Sequence, residues 1–170
     1  MEDDRFSVVQ HQNSILIEVS VNKSHIIARL ILIILILVSI IVPIVILFYA
    51  IGVGRQIGVG YIFSLLLFIA SFAFFLRMFL WNTYGKEVFL IENNKVLFYN
   101  DYKYFKDNLK QYEFSIEVIL GCIPIGEEDF VQIKNVSALY DYCRFCILLN
   151  DKELIESNIP IRTKTLLKFR

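Results

Sequence analysis

The pattern of apolar and polar positions changes twice along the chain. Near the start, Ile15, Ile17, Val19 and Val21 alternate with Leu16, Glu18 and Ser20. A period of two marks a half-buried strand. The stretch Phe6–Gln10 is its predicted partner, with residues 11–14 as the turn. A lone two-stranded hairpin is marginal in water, so this one needs another sheet to join.

The alternation then gives way to unbroken hydrophobicity. Residues 30–54 hold no charged side chain, and neither do residues 56–76. The first run reads LILIILILVSIIVPIVILFYAI and the second IGVGYIFSLLLFIASFAFFL. A helix of about 20 apolar residues crosses the ~30 Å core of a bilayer. Each run therefore predicts a membrane span, at about residues 26–51 and 57–80. Two core helices of a soluble protein are the alternative, but the rest of the chain is too short to cover both on every side. The first run also exceeds the ~7–15 apolar residues of a signal peptide and lacks a small-residue cleavage pattern, so it predicts a retained span.

Residues 52–60, GVGRQIGVG, join the two runs and predict an antiparallel hairpin. The glycines Gly52, Gly54, Gly58 and Gly60 follow no strand and precede no Lys-Ser/Thr pair, so they do not form a phosphate-binding loop. A tight turn with close helix approach is the expectation, with Gly60 and Ser64 as a small-xxx-small pair. Pro43, in mid-span, predicts a kink.

Beyond the second run the period of two returns. Val88, Leu90 and Val96 belong to short apolar runs on either side of Asn93 and Asn94, which tolerate positive φ and predict a hairpin turn. Phe114, Ile116, Val118 and Leu120 alternate with Ser115 and Glu117. Phe130, Val131 and Ile133 make a further short run, and residues 139–149 the longest one. Turn-forming residues separate them, including Gly121, Pro124, residues 126–129 and Asn150. Strands at this spacing predict a small antiparallel β-sandwich or barrel. The last ten residues, IRTKTLLKFR, predict a short helix with Leu166, Leu167 and Phe169 on one side and Arg162, Lys164, Lys168 and Arg170 on the other. The predicted plan is membrane α+β: an N-terminal hairpin segment over 1–24, a helical hairpin over 25–82 and a β-domain over 83–170.

Charge adds an orientation. Lys23 and Arg29 flank the first span and Arg77 and Lys86 the second, against Arg55 alone in the connection. The excess of basic residues places both termini in the cytoplasm. Arg29 and Arg77 lie just inside their helices and can snorkel to that interface, where Trp81 and Tyr84 supply the aromatic belt. Composition then reads as an average over two materials. The 170 residues are 56% hydrophobic and 20% charged, with 17 basic and 17 acidic side chains. Residues 30–76 hold one charge, and the remainder is balanced as a water-facing domain would be. A net charge of zero offers no footprint for nucleic acid.

At the exit from the second span stands a W-x-x-x-G-K-E stretch, Trp81, Gly85, Lys86 and Glu87, running into VFLIENNKVLFYN. With the preceding strand hairpin and short-loop helix pair, this layout resembles small bacterial membrane proteins that couple two transmembrane helices to a pleckstrin-homology-like domain. The resemblance implies the bacterial inner membrane, a strongly bent seven-stranded sheet and a C-terminal helix closing one end. It implies no catalytic reaction, and lipid binding by other members of such a fold does not transfer with the fold.

Candidate chemistry is sparse. Cys143 and Cys146 have C-x-x-C spacing, but only Cys122, His11 and His25 remain as further zinc ligands. Residues three apart on a strand face opposite ways, so reduced structural thiols are expected. Glu127, Glu128 and Asp129 form a contiguous acidic turn without EF-hand spacing. Tyr99, Tyr102, Tyr104 and Tyr112 are interleaved with Lys103, Lys106 and Lys110, but Asp101, Asp107 and Glu113 cancel the lysines. A solvated strand-turn-strand edge is expected there, with lysines meeting anionic headgroups as the alternative. Arg162, Lys164, Lys168 and Arg170 are the candidate headgroup contacts. The expectation is a non-enzymatic, cofactor-free and metal-free binding or scaffold module. Its expected partners are membrane lipids and an unidentified membrane or cytoplasmic protein, with homo-oligomers possible and no nucleic acid. The second reading is an accessory subunit of a transporter or channel, or a small homo-oligomer. It meets few intramembrane polar residues: Ser39, Ser64 and Ser71.

Overall fold

A computed structural model describes residues 5–54, 58–115, 117–136, 140–150 and 153–169. The chain divides into two compact units, Met1–Asn22 with Tyr84–Arg170, and Lys23–Thr83. The second unit consists of two helices, α1 (Ile26–Gly52) and α2 (Val59–Tyr84, whose last residue belongs to the other unit). At 1.5 Å per residue each is about 40 Å long, enough to cross a bilayer core.

Each helix keeps one stripe from solvent. On α1 it includes Leu32, Ser39 and Pro43, at spacings that return to one face. The remaining apolar residues are uncovered, Phe63 at 70% exposure among them. The helices meet through a long side chain: the Tyr61 hydroxyl donates to the Pro43 carbonyl at 3.1 Å. The expected close approach at Gly60 does not occur, because a Cβ there would meet nothing within 4 Å. The contact between the helices is instead made by the Tyr61 side chain, which reaches the opposite backbone. Ser39, Ser64 and Ser71 each donate to a carbonyl of their own helix at 2.8–2.9 Å. Arg55, the residue on which the charge comparison turns, lies outside the described residues.

The first unit holds two antiparallel sheets. One has the order β1 (Phe6–Gln10), β2 (Ser14–Ser20), β3 (Lys86–Glu92), β4 (Lys95–Asp101), β5 (Lys106–Glu113). β2 pairs with β3 along its whole length, Ser14 opposite Glu92 and Ser20 opposite Lys86. The other sheet has the order β7 (Val131–Gln132), β6 (Val118–Pro124), β8 (Tyr142–Leu149), β9 (Glu153–Arg162). The two sheets do not close into a barrel. The Asn93–Asn94 turn forms with both residues at positive φ, as a two-residue hairpin loop requires.

The core lies between the inner faces. Ile17, Phe89 and Phe98 of the first sheet face Phe145, Ile147 and Ile161 of the second. The Phe145 ring centre is 5.3 Å from both Phe6 and Phe89, and Phe89 is 4.9 Å from Phe98.

Three elements differ from the sequence expectation. The strand expected to start at Phe114 begins at Val118 and runs through Gly121 to Pro124, residues read as turn formers. Gly121 suits the strand because the Phe130 ring occupies the space of its missing Cβ, with the Val131 carbonyl 2.6 Å from that point. β9, absent from the sequence reading, takes up Ile161 and Arg162. The C-terminal helix shrinks to α3 (Thr163–Leu166) and a 3-10 turn over Leu167–Phe169. Leu166 is buried, whereas Leu167 is only half-buried.

Candidate functional site

The basic residues at the end of β9 come together with the start of β8. Tyr142 pairs with Arg162, and the Thr163 amide donates to the Asp141 carbonyl at 3.2 Å, carrying the ladder into α3. Tyr140, Asp141, Tyr142, Arg162 and Lys164 line an open cleft of about 300 Å³. Tyr140 is fixed by donating its hydroxyl to Glu127 Oε1 at 2.8 Å, and the neighbouring carboxylate holds its pKa above the usual phenol value. Arg162 and Lys164, with the Tyr142 hydroxyl as a donor, can hold a small anionic group by charge and hydrogen bonds against the repulsion of Asp141. Lys168 is exposed on the closing 3-10 turn but does not line this cleft, and Arg170 lies outside the described residues.

The four expected interface anchors sit on the helices. Arg29 is half-buried in the first turn of α1, and its Nε has no hydrogen bond among the described residues. Arg77 is exposed on α2, with Trp81 half-buried one turn later. Tyr84 ends the helix and lies edge-on to Tyr104, ring centres 6.1 Å apart.

The site that the sequence reading missed is an internal one. Glu87 is 1% exposed on the inner face of β3, opposite Val19. Ser157 Oγ donates to its Oε2 at 2.6 Å. The Asn158 amide donates to both oxygens, at 3.0 and 3.2 Å, and Asn158 Nδ2 to Oε1 at 3.1 Å. Ser157 in turn accepts from the Ile159 amide at 3.1 Å. These donors lie where β9 bulges, since β8 pairs Arg144 with Pro160 but Cys146 with Glu156. Charge-assisted bonds of this kind compensate the burial of a carboxylate and tie the two sheets together. The warning was in the sequence: Glu87 shares its strand face with Phe89.

The cysteines are three fully buried thiols. Register puts Cys122 and Cys143 on the inner face with Phe145, and Cys146 on the other, opposite Gly121. A hydrogen bond with Cys143, then burial, pushes the Cys122 thiol up, while the same bond pulls Cys143 down. Burial, reinforced by Glu156, pushes Cys146 up to about 12. No grouping of three or more metal-binding side chains occurs among the described residues.

No family model matches the chain, and the comparisons with curated proteins and with solved structures return no match.

Proposed function

We propose that the chain is a membrane-anchored, non-catalytic binding module. In this reading α1 and α2 span the bacterial inner membrane with both termini in the cytoplasm, and the β-unit is a pleckstrin-homology-like domain presented at its surface. One observation carries it: β2, before the first helix, pairs with β3, after the second. The two flanks of the helical hairpin build one sheet and therefore share one compartment. Uncovered apolar side chains along both helices support insertion, because a soluble chain does not leave such a surface in water. The cleft of Arg162 and Lys164 is the recognition surface, for an anionic lipid headgroup or an acidic protein segment. The serines of both helices support a binding role over transport, since each hydroxyl donates to the backbone of its own helix.

A photoreactive residue in place of Tyr142, at the mouth of the cleft, tests this in native membranes. The expected product is one dominant crosslinked species, lipid or protein, lost in the Arg162→Gln/Lys164→Gln variant. Crosslinks that merely follow the abundance of membrane proteins, unchanged by that variant, refute the reading.

A further inference from the structure

The turn between β4 and β5 carries an aromatic and basic tip that the recognition cleft does not use. Tyr102 and Phe105 close it: the Tyr102 amide donates to the Phe105 carbonyl at 3.0 Å, and their rings stack 4.5 Å apart. Lys103 and Tyr104 form the two-residue loop between them. Lys103 has φ +75, a conformation that favours glycine at the first position of such a loop. The Asp101 side chain supports it by accepting the Lys103 amide at 2.7 Å. A lysine held at a glycine's φ points to a use for its side chain. That side chain lies over two rings, with Nζ 4.6 Å from the centre of Tyr84 and 5.6 Å from that of Tyr104.

Tyr84 gives the tip its position. It belongs to the β-unit and is also the residue at which the apolar helix α2 ends, three residues after Trp81. Whatever packs on Tyr84 lies at the depth of that helix end. Yet Tyr104 remains 69% exposed and Phe105 41% exposed. Tyrosine, tryptophan and lysine are the side chains that settle at the headgroup level, with rings toward the hydrocarbon and polar tips in water.

We infer that the Lys103–Tyr104 turn is a second membrane contact: Tyr104 and Phe105 enter the headgroup layer beside the end of α2, and Lys103, clamped on Tyr84 and Tyr104, meets lipid phosphates. The inference rests on the spanning role proposed for α1 and α2.

The test uses the full chain in phosphatidylcholine vesicles, with and without phosphatidylglycerol. The native thiols are fully buried, so single cysteines from Tyr104→Cys, Phe105→Cys, Ile69→Cys and Ile125→Cys take a spin label selectively. Ile69 reports the middle of α2. Ile125 is an exposed reference beside the acidic turn of Glu127, which anionic lipid repels. Collisions with a water-soluble nickel chelate and with lipid-soluble oxygen are then compared. The expected result is full shielding from the chelate at 69 and a several-fold reduction at 104 and 105 relative to 125, with oxygen access retained. Shielding at 69 with none at 104 and 105 overturns the inference and leaves the spans standing. No shielding at 69 overturns both. Loss of oxygen as well as chelate access at 104 and 105 means that protein covers the tip, and overturns the lipid assignment. Lys103→Gly relieves the φ strain and keeps the turn. It should restore chelate access at 104, and unchanged shielding refutes the role given to Lys103.

Discussion

Replacing Ser157 by alanine removes one hydroxyl and should loosen the whole β-unit. The hydroxyl does two things at once in a fully buried site. It donates to Glu87 Oε2 at 2.6 Å and accepts the Ile159 amide at 3.1 Å. Losing a bond to a charged acceptor costs about 1.5–3 kcal/mol, and a stranded buried amide about 1–3 kcal/mol more. Partial relaxation of the bulge lowers the sum, so about 3 kcal/mol is expected, roughly a hundredfold in the opening equilibrium. The three native thiols report that equilibrium, because all are fully buried and lie in β6 and β8. In vesicles, the rate at which a thiol reagent labels them in moderate urea tracks the open population when reclosing is fast. Ser157→Ala should raise that rate about a hundredfold. Glu87→Leu alone should be at least as damaging, since it strands Ser157 and the Asn158 amide. The Glu87→Leu/Ser157→Ala pair should cost less than the two single changes added together, because an acceptor and its donor leave together. A rate for Ser157→Ala within about threefold of the parent, under 1 kcal/mol, would falsify the view that this contact closes the sheets.

Three further outcomes follow from other positions. Gly121→Ala puts a methyl group into the Phe130 ring and 2.6 Å from the Val131 carbonyl. It should cost about 1–3 kcal/mol in the same labelling assay, and Phe130→Leu should recover only part, because the backbone clash remains. The raised Cys122 and Cys146 thiols favour the folded state while they are protonated. That contribution is complete below the ordinary thiol pKa of 9.0 and is lost as pH rises toward about 12 for Cys146. Urea midpoints, read by far-ultraviolet circular dichroism, should fall across that window, and Cys146→Ala should flatten the slope by up to about 1.4 kcal/mol per pH unit; an unchanged slope refutes the assignment. Gly58→Cys, where a side chain meets nothing within 4 Å, should react with an impermeant maleimide from outside the cell, whereas Val9→Cys should not; the reverse pattern overturns the orientation.

The parts legible in the sequence were those governed by a local period. The helices announce themselves by uninterrupted hydrophobicity, β2 by alternation and the β3–β4 turn by two adjacent asparagines. What escaped depends on contacts far apart in the chain. Gly121 reads as a turn former until Phe130 is seen to occupy its empty side. β9 is interrupted by Ser157, Asn158 and Pro160, polar or awkward for a strand, and two of these are the donors that a buried glutamate needs 70 residues earlier. The basic cluster at the C-terminus was visible as charge. Its cleft was not, because Tyr140–Tyr142 join it only through the pairing of β8 with β9. Likewise Tyr84 was read as an expected interface anchor and Lys103 as part of a solvated edge, with headgroup contact as the alternative, but the contact between them is tertiary.

The position of Glu87 explains why a costly buried carboxylate suits this architecture. The first sheet is assembled from strands that flank a helical hairpin, so its register is set where the chain leaves the helices. There the Val21 amide donates to the Gly85 carbonyl at 3.0 Å, and Lys86 pairs with Glu18 at 2.9 Å. A slip of one residue between β2 and β3 would exchange every inward side chain for an outward one. Apolar residues alone guard weakly against that error, since Val88 is as buried as Phe89. A carboxylate guards strongly. In the native register Glu87 meets Ser157 and Asn158, whereas a slip that moved β3 by one residue would leave those donors unanswered and turn Glu87 itself out of the core. The cost of burying one charge thus falls on every alternative pairing more heavily than on the native one. The specificity is placed at the first strand to leave the second helix, the earliest point at which the two halves of the β-unit can be brought into line.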